Sequence, residues 1–417
     1  MRNRHARRMG AVMTDRLEPL IRFHPFTRLN ALLDGIKPGG PVMALSVGEP
    51  QGAPPAFLAE VLEREKKDWS RYPLTVGSPE FRASVGDWLN RRFHLPAGMI
   101  DRDLDILPAA GSKEALFHAA LAAVPEWNGG ARPGVVMPNP FYHVYAGSAA
   151  VAGAEPLFLP ANRANGFLPE PDLIPGQDLP RVAMAYVCSP SNPQGAVASR
   201  EYLARWLGHA RRHNYTLVVD ECYAEIYRGE PPTGVLEVAE GRLDNLLSIH
   251  SLSKRSSAPG LRSGFVVGER KLIKRMTQLC NYGGAAISFP ALAASAALWR
   301  DEAHVELNRE RYRQCFAIAE QIIGKRFGFY QPPGGFFLWL DVGDGEAAAK
   351  KLWSEAGIKV LPGGYMARPD ASGVNPGQPY IRVALVHEPA QVEEALGRLV
   401  KALDRSSATT AASVAAQ

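Results

Sequence analysis

Cysteine is scarce in this chain and scattered: Cys188, Cys222, Cys280 and Cys315 are the four, and no C-x-x-C pair occurs among them. That spacing argues against a zinc site and against a disulfide framework, and it fits a reduced, cytoplasmic setting. No run is long and apolar enough to span a bilayer, and no apolar segment follows the basic cluster at residues 1–8, so neither a membrane nor secretion is expected. Nucleotide-binding signatures are missing as well, since no G-x-x-x-x-G-K-[ST] or G-x-G-x-x-G run follows any strand-like stretch. Excess charge is small: the net is +5 over 417 residues, and much of it sits in residues 1–8. Those residues read as a leader or a mis-called start ahead of Met9 and Met13, not as a nucleic-acid arm, so no nucleic-acid partner is expected.

What is present is an ordinary globular balance, 46% apolar and 21% charged, in a chain too long for one ordinary domain. Strand and helix alternate along most of it, as a mostly parallel sheet requires. Helices are expected over residues 27–35, 54–67, 80–93, 112–124, 199–214 and 270–281, with one long helical region over 290–323. Strands are expected near 44–47, 105–109, 135–138, 155–159, 186–188, 217–220, 245–249 and 264–267, with others inside 327–342, 359–364 and 378–386. The organisation predicted is a disordered leader (1–15), a segment joining a small domain (16–45), a large domain (46–295), a small α+β domain with its linking helix (296–405) and a small, polar, disordered tail (406–417).

The chain is organised around residues 248–268. Lys254 lies there between two apolar strand-like runs, in a Ser- and Gly-rich connection with a second cation, Arg262, nearby. An ammonium so placed is poorly solvated, and desolvation lowers its pKa toward the neutral amine that attacks carbonyls. A lone Ser-x-Ser-Lys would mark only a surface lysine. Two further stretches change that reading: the β-branched run 217–219 leads straight into Asp220, with Tyr223 three residues on, and the strand from Tyr186 ends in a Pro- and Gly-rich turn carrying Asn192. Ligands on parallel sheets sit at the carboxyl ends of the strands, where Asn192, Asp220, Tyr223, Ser251 and Lys254 all fall. Gly111, Ser112 and Lys113 open a helix after a strand, which makes an anion site of backbone N–H groups or a plain N-cap. A lone Arg382 in the apolar strand 380–385 needs an anion, either a substrate carboxylate or a structural partner.

Several separated motifs in this order resemble the fold-type I pyridoxal-phosphate aminotransferases, class I/II, over most of the chain. The resemblance implies an α/β large domain with a mostly parallel seven-stranded sheet flanked by helices, as in aspartate aminotransferase, plus a smaller α+β domain. It implies pyridoxal 5'-phosphate as cofactor, carried on Lys254, which then moves the substrate's proton. Asp220 would face the pyridine nitrogen, Asn192 and Tyr223 the phenolic oxygen, and Tyr142, with Phe141 as the alternative, would stack on the ring. Gly111, Ser112, Lys113, Ser251 and Arg262 would hold the phosphate, joined by Tyr72 across a homodimer interface. Gly48 and Arg382 would meet the substrate carboxylate, with Asn192 beside them.

Residues 253–265 and 373–386 are similar to bacterial succinyldiaminopimelate transaminases, which implies glutamate as amino donor and N-succinyl-2-amino-6-oxopimelate as acceptor, in diaminopimelate and lysine biosynthesis. Such an acceptor carries several carboxylates, and Arg28, Arg255 or Asn375 could meet the extra ones. The alternatives are another transaminase or β-lyase of this fold, acting on aspartate, alanine, kynurenine or a cysteine conjugate, and a non-catalytic regulator built on it.

Overall fold

The computed structural model describes residues 20, 22–127 and 130–414, so the leader expected at 1–15 lies outside the described residues. Twelve strands are formed among them: β1 (Met43–Ala44), β2 (Ile106–Ala109), β3 (Gly134–Asn139), β4 (Glu155–Pro160), β5 (Val182–Cys188), β6 (Thr216–Asp220), β7 (Leu246–Ser251), β8 (Gly264–Gly268), β9 (Phe337–Asp341), β10 (Ile358–Lys359), β11 (Leu361–Pro362) and β12 (Tyr380–Ala384). Seven of them make one sheet in the order β2-β8-β7-β6-β5-β3-β4. β8 runs antiparallel to both neighbours, and the remaining pairs are parallel. This is the mostly parallel seven-stranded sheet expected from the sequence.

The central strands are buried along their whole length, because helices cover both faces and the sequence answers with unbroken apolar runs. Alternation divides them between two cores. Leu217 and Val219 point to the side that holds Trp88, Trp206 and Trp299, while Val218 points to the side that holds Met137, Tyr145 and Tyr186. The covering helices begin and end on chemistry written locally. Ser78 accepts the Phe81 N–H and Ser199 the Tyr202 N–H, with Pro79 at the first helical position of Pro79–Phe93. His94 and Asn214 then close their helices in the left-handed region.

A second, antiparallel sheet, β11-β12-β9, packs a core of its own on the helices Gly345–Ala356 and Pro389–Val414. The short pair β1-β10 ties residues 43–44 to it, and the Ala384 N–H donates to the Leu45 carbonyl at 2.8 Å, so the segment entering the large sheet is anchored on the small one. No helix among the described residues is long and apolar enough to cross a membrane.

Three local expectations are corrected. The helical region over 290–323 is two helices, Phe289–Arg300 and Ala303–Ile323: Asp301 turns extended (φ −90°, ψ 126°), and its carboxylate takes up His304 at the start of the second. The helix over 54–67 shrinks to Phe57–Arg64, after which Lys66–Ser70 tightens into a 3-10 turn. The tail from 406, expected to be disordered, continues the last helix to Val414, as its alanines favour.

Trp88 joins helix Pro79–Phe93 to the sheet and to the helix Phe289–Arg300, with its ring 4.7 Å from Trp299, 5.2 Å from His250 and 5.6 Å from Phe93. Trp88→Ala is expected to lower stability by about 3–5 kcal/mol, read as a shifted urea midpoint at unchanged slope.

Candidate active site

The site is built where β3, β5, β6 and β7 end and the small sheet approaches. A cavity of about 320 Å³ there is lined by Gly48, Ser112, Lys113, Phe141, Tyr142, Asn192, Asp220, Tyr223, Lys254 and Arg382, and is closed from the N-terminal side by His24, Pro25 and Phe26. The topology accounts for the convergence: each of the parallel strands delivers its carboxyl end to the same edge, and β12 brings Arg382 from the other sheet.

Lys254 sits in the single-turn helix Leu252–Arg255, in the short return from β7 to the antiparallel β8. The Ser251 hydroxyl caps that turn, taking the Ser253 N–H at 3.1 Å. The lysine amine donates to the Gly48 carbonyl and lies 5.4 Å from the centre of the Phe336 ring. Burial pulls its pKa down to about 8; Arg382 and Arg262 act in the same direction, against Glu49 and Cys222. Of these two opponents Cys222 contributes little, since burial and Asp220 hold its thiol protonated.

Asp220 ends β6 almost wholly buried. Tyr145 donates to its Oδ2 at 2.8 Å and the Cys222 N–H to its Oδ1 at 3.2 Å; burial nevertheless raises the carboxyl's pKa, because two donors do not replace water around a carboxylate. The ion would be favoured by a cation meeting it from the cavity.

Arg382, buried in β12, donates through Nη1 to Asn192 Oδ1 at 3.0 Å and through Nη2 to the Ser46 carbonyl at 2.7 Å. Among the described residues its Nε has no partner and no carboxylate acts on it: burial lowers its pKa to about 10, opposed by Tyr223 and Tyr142. A guanidinium held this way, 4.2 Å from the centre of the Phe337 ring, is short of an anion. A Cβ on Gly48 would lie 2.6 Å from that ring, so glycine is what lets the backbone at 48 come up to the amine.

The anion end is formed by helix Ser112–Ala123, whose first-turn N–H groups have no intrahelical acceptors. Gly111 precedes it at φ 87°, and a Cβ there would meet the Arg262 guanidinium at 2.7 Å. Arg262, itself left-handed at φ 53°, is oriented by the carbonyls of Pro259 and Ala110, at 2.8 and 2.7 Å.

Of the residues singled out from sequence, Gly48, Ser112, Lys113, Tyr142, Asn192, Asp220, Tyr223, Lys254 and Arg382 border one cavity. Gly111 and Ser251 cap the helices that carry Ser112 and Lys254, and Arg262 lines an adjoining hollow. Tyr72 does not reach the cavity of its own chain and is 99% exposed. The three guesses for extra carboxylate contacts are corrected. Arg255 is buried away from the cavity against Trp88 and Trp299, bonded to the Leu298 carbonyl and Glu302. Asn375 spends its amide on its own loop, at Gly364 and Gly377. Arg28 stacks on Tyr365 and pairs with Glu346.

Sequence reasoning passed over Tyr145, although it falls three residues after Tyr142 on the same helical face; its ring stacks on Tyr186 at 4.4 Å while its hydroxyl holds Asp220. It also passed over His24 and His143. Burial lowers the pKa of both, that of His143 to about 3.

The neutral amine is the nucleophile, and it predominates above its pKa. In cofactor-free protein, reductive methylation of Lys254 by formaldehyde is therefore expected to speed up with pH and level off above about pH 8, while surface lysines keep accelerating to about 10.4. Peptide mapping of the label checks this, and an inflection for Lys254 near that of the surface lysines would contradict it.

Comparison with known proteins agrees with this geometry. Residues 40–399 match the family model "Aminotransferase class I and II". An LL-diaminopimelate aminotransferase of Desulforudis audaxviator is 31% identical over 392 residues, covering 91% of this chain and 95% of the relative. Among solved structures, an aminotransferase from Neisseria meningitidis superposes with a TM-score of 0.85 at 37% identity, over 91% of this chain and 97% of that one. The aminotransferase AspB of Helicobacter pylori does so with 0.83 at 33%, over 91% and 98%. The chain thus belongs to the class I and II aminotransferases, enzymes that transfer amino groups with pyridoxal phosphate as cofactor.

Proposed function

We propose that this aminotransferase moves the amino group of glutamate to N-succinyl-2-amino-6-oxopimelate, a step of diaminopimelate and lysine biosynthesis. The observation that carries the amino-acid part of the reading is Arg382: a buried guanidinium with an unpaired Nε, in the same cavity as a lysine amine whose pKa has fallen to about 8. A substrate α-carboxylate supplies the anion that Arg382 lacks, and places the neighbouring Cα toward the amine. The succinylated acceptor is supported by the likeness of residues 253–265 and 373–386 to succinyldiaminopimelate transaminases. The relatives named for LL-diaminopimelate favour a second reading, in which the unsuccinylated amino acid is the substrate.

The residues present fit pyridoxal phosphate. Asp220, a buried carboxylate with too few donors, suits a protonated pyridine nitrogen. Tyr142 offers a ring face, and Tyr223 and Asn192 offer polar groups for the phenolic oxygen. The free N–H groups at Ser112 and Lys113, together with Gly111, Ser251 and Arg262, suit the phosphate. Bound there, the cofactor supplies an electron sink for the pair released when the substrate's Cα–H bond breaks. Lys254 would hold the cofactor, and its amine, once free, would take the proton from Cα and return it on the far side of the substrate nitrogen. Its low pKa leaves a substantial neutral fraction near pH 8, so it can accept that proton. Asn192 would hold Arg382 in register through their hydrogen bond, and Gly48 would close the carboxylate's other side.

Purified enzyme is expected to convert glutamate and N-succinyl-2-amino-6-oxopimelate, with its visible cofactor band bleaching on glutamate alone. Little turnover is expected with oxaloacetate or pyruvate as acceptor. Activity restricted to unsuccinylated LL-diaminopimelate would establish the second reading instead.

The exposed Tyr72, with Trp69 and Leu74 exposed beside it in sequence and Tyr282 exposed next to Asn281, which accepts from Thr75 at 2.6 Å, suits a homodimer in which Tyr72 of the partner subunit completes the phosphate site. Tyr72→Ala and Lys254→Ala, each inactive or weak alone, are then expected to regain activity when mixed and re-associated, because the hybrid dimer keeps one site with both side chains. Absence of any regain in verified hybrids would count against the shared site.

A further inference from the structure

The cavity does not stop at the residues that suit the cofactor. Through His24, Lys113 and His143, which border both, it adjoins a second hollow of about 470 Å³ lined also by Arg262, Arg368 and Phe23. Cations outnumber anions around this hollow, Lys113, Arg262 and Arg368 against Glu114. Burial is the main cause that lowers the pKa of His24 and His143, and the Lys113 cation acts on both in the same direction. Glu114, the carboxylate on its border, is directed to His118, 3.9 Å away.

Arg368 is the telling residue. Its loop is pinned to the end of β3, where Asn139 exchanges hydrogen bonds of 2.8 and 3.0 Å with the Arg368 main chain, and the Phe141 N–H donates to the Met366 carbonyl. The guanidinium is thereby held 4.3 Å from the centre of the Phe23 ring and 5.3 Å from that of Phe141, a residue of the first cavity. Among the described residues, the acceptor it reaches is the carbonyl of Ala367 at 2.9 Å. Burial lowers its pKa to about 10, and the charge acting on it is another cation, Arg28. An arginine that is largely buried, set close to two aromatic rings and repelled by its charged neighbour suits a carboxylate, and among the described residues it meets none.

We propose that this hollow binds a distal carboxylate of the substrate, with Arg368 as its anchor and Lys113 as the second cation. The inference rests on the aminotransferase reading of the Lys254 cavity for the substrate's α-carbon end, and is independent of whether the acceptor is succinylated. It names a requirement on the substrate: a second carboxylate, several carbons beyond the first.

The test compares two seven-carbon amino acids that differ only in that group, 2-aminopimelate and 2-aminoheptanoate, by kcat/KM in the half-reaction that bleaches the cofactor band. Wild type is expected to prefer 2-aminopimelate by about 10- to 100-fold, the worth of hydrogen bonds to a charged group. Arg368→Gln is expected to reduce that preference to within about threefold, and Arg368→Lys, which keeps charge without the fork, to leave an intermediate value. No preference in wild type, or one that survives in the glutamine variant, overturns the proposal. Should Arg368→Gln fail to bind cofactor, the lysine variant decides: a reduced preference supports the subsite and an undiminished one overturns it. Wild type that prefers 2-aminopimelate but rejects N-succinyl-2-amino-6-oxopimelate removes the proposed substrate and leaves the subsite standing.

Discussion

Desolvation of the Lys254 amine is the interaction on which the rest of the structure depends. A lysine charge in water is stable and chemically idle; inside this cavity it lacks an ionised partner in contact, and its amine leans on the Gly48 carbonyl instead. Keeping the partner away is an arrangement of the whole fold. Asp220, the nearest strand-end carboxylate, is turned into its own hydrogen bonds with Tyr145 and the Cys222 N–H, and the cation that approaches from the small sheet, Arg382, pushes the lysine further toward neutrality. Had Asp220 faced the amine directly, a salt bridge would have raised the lysine's pKa and kept the amine charged.

The same logic runs through the other buried charges. Arg382 is held by an amide and a carbonyl, Arg368 by a carbonyl and two rings, and neither meets a carboxylate. Arg255, by contrast, is answered within the protein by Glu302, and it stands away from the cavity. Buried arginines in this chain therefore sort by whether the fold itself supplies their anion. Of those left without one among the described residues, Arg382 and Arg368 border adjoining cavities, whereas Arg228 lies elsewhere, 3.7 Å from the centre of the Phe316 ring.

Much of this was legible in the sequence because its signals are local. A strand-like run that stops at an acid, as at Asp220, or at a Ser-x-Ser-Lys, as at Lys254, announces a strand end, and strand ends of a parallel sheet share an edge. Arg382 was legible by contrast, as one charge in an apolar strand. Tyr145 was not: its partner Asp220 lies 75 residues away, and a tyrosine near a helix start reads equally well as core. Arg368 escaped for a similar reason, since its isolation among rings and cations depends on Phe23, Arg28 and Phe141, all distant in sequence. The break at Asp301 carries no glycine or proline to mark it, because the second helix is started by the aspartate's own side chain. The guesses at Arg255 and Asn375 failed because charge or an amide near a motif says nothing about which way the side chain turns.

The two sheets divide the site between them: the amine and its carboxylate neighbour ride on the seven-stranded sheet, whereas Arg382 rides on β12 and Arg368 on the loop before it. Mutations accumulating in residues 361–381 can thus reshape the cavity wall, at Leu361, Met366 and Arg368, without touching the amine or Arg382, whose charge helps to keep it neutral. In a lineage under changing nutritional demand, new substrates would be acquired by drift in that short stretch, and the chemistry would be inherited intact.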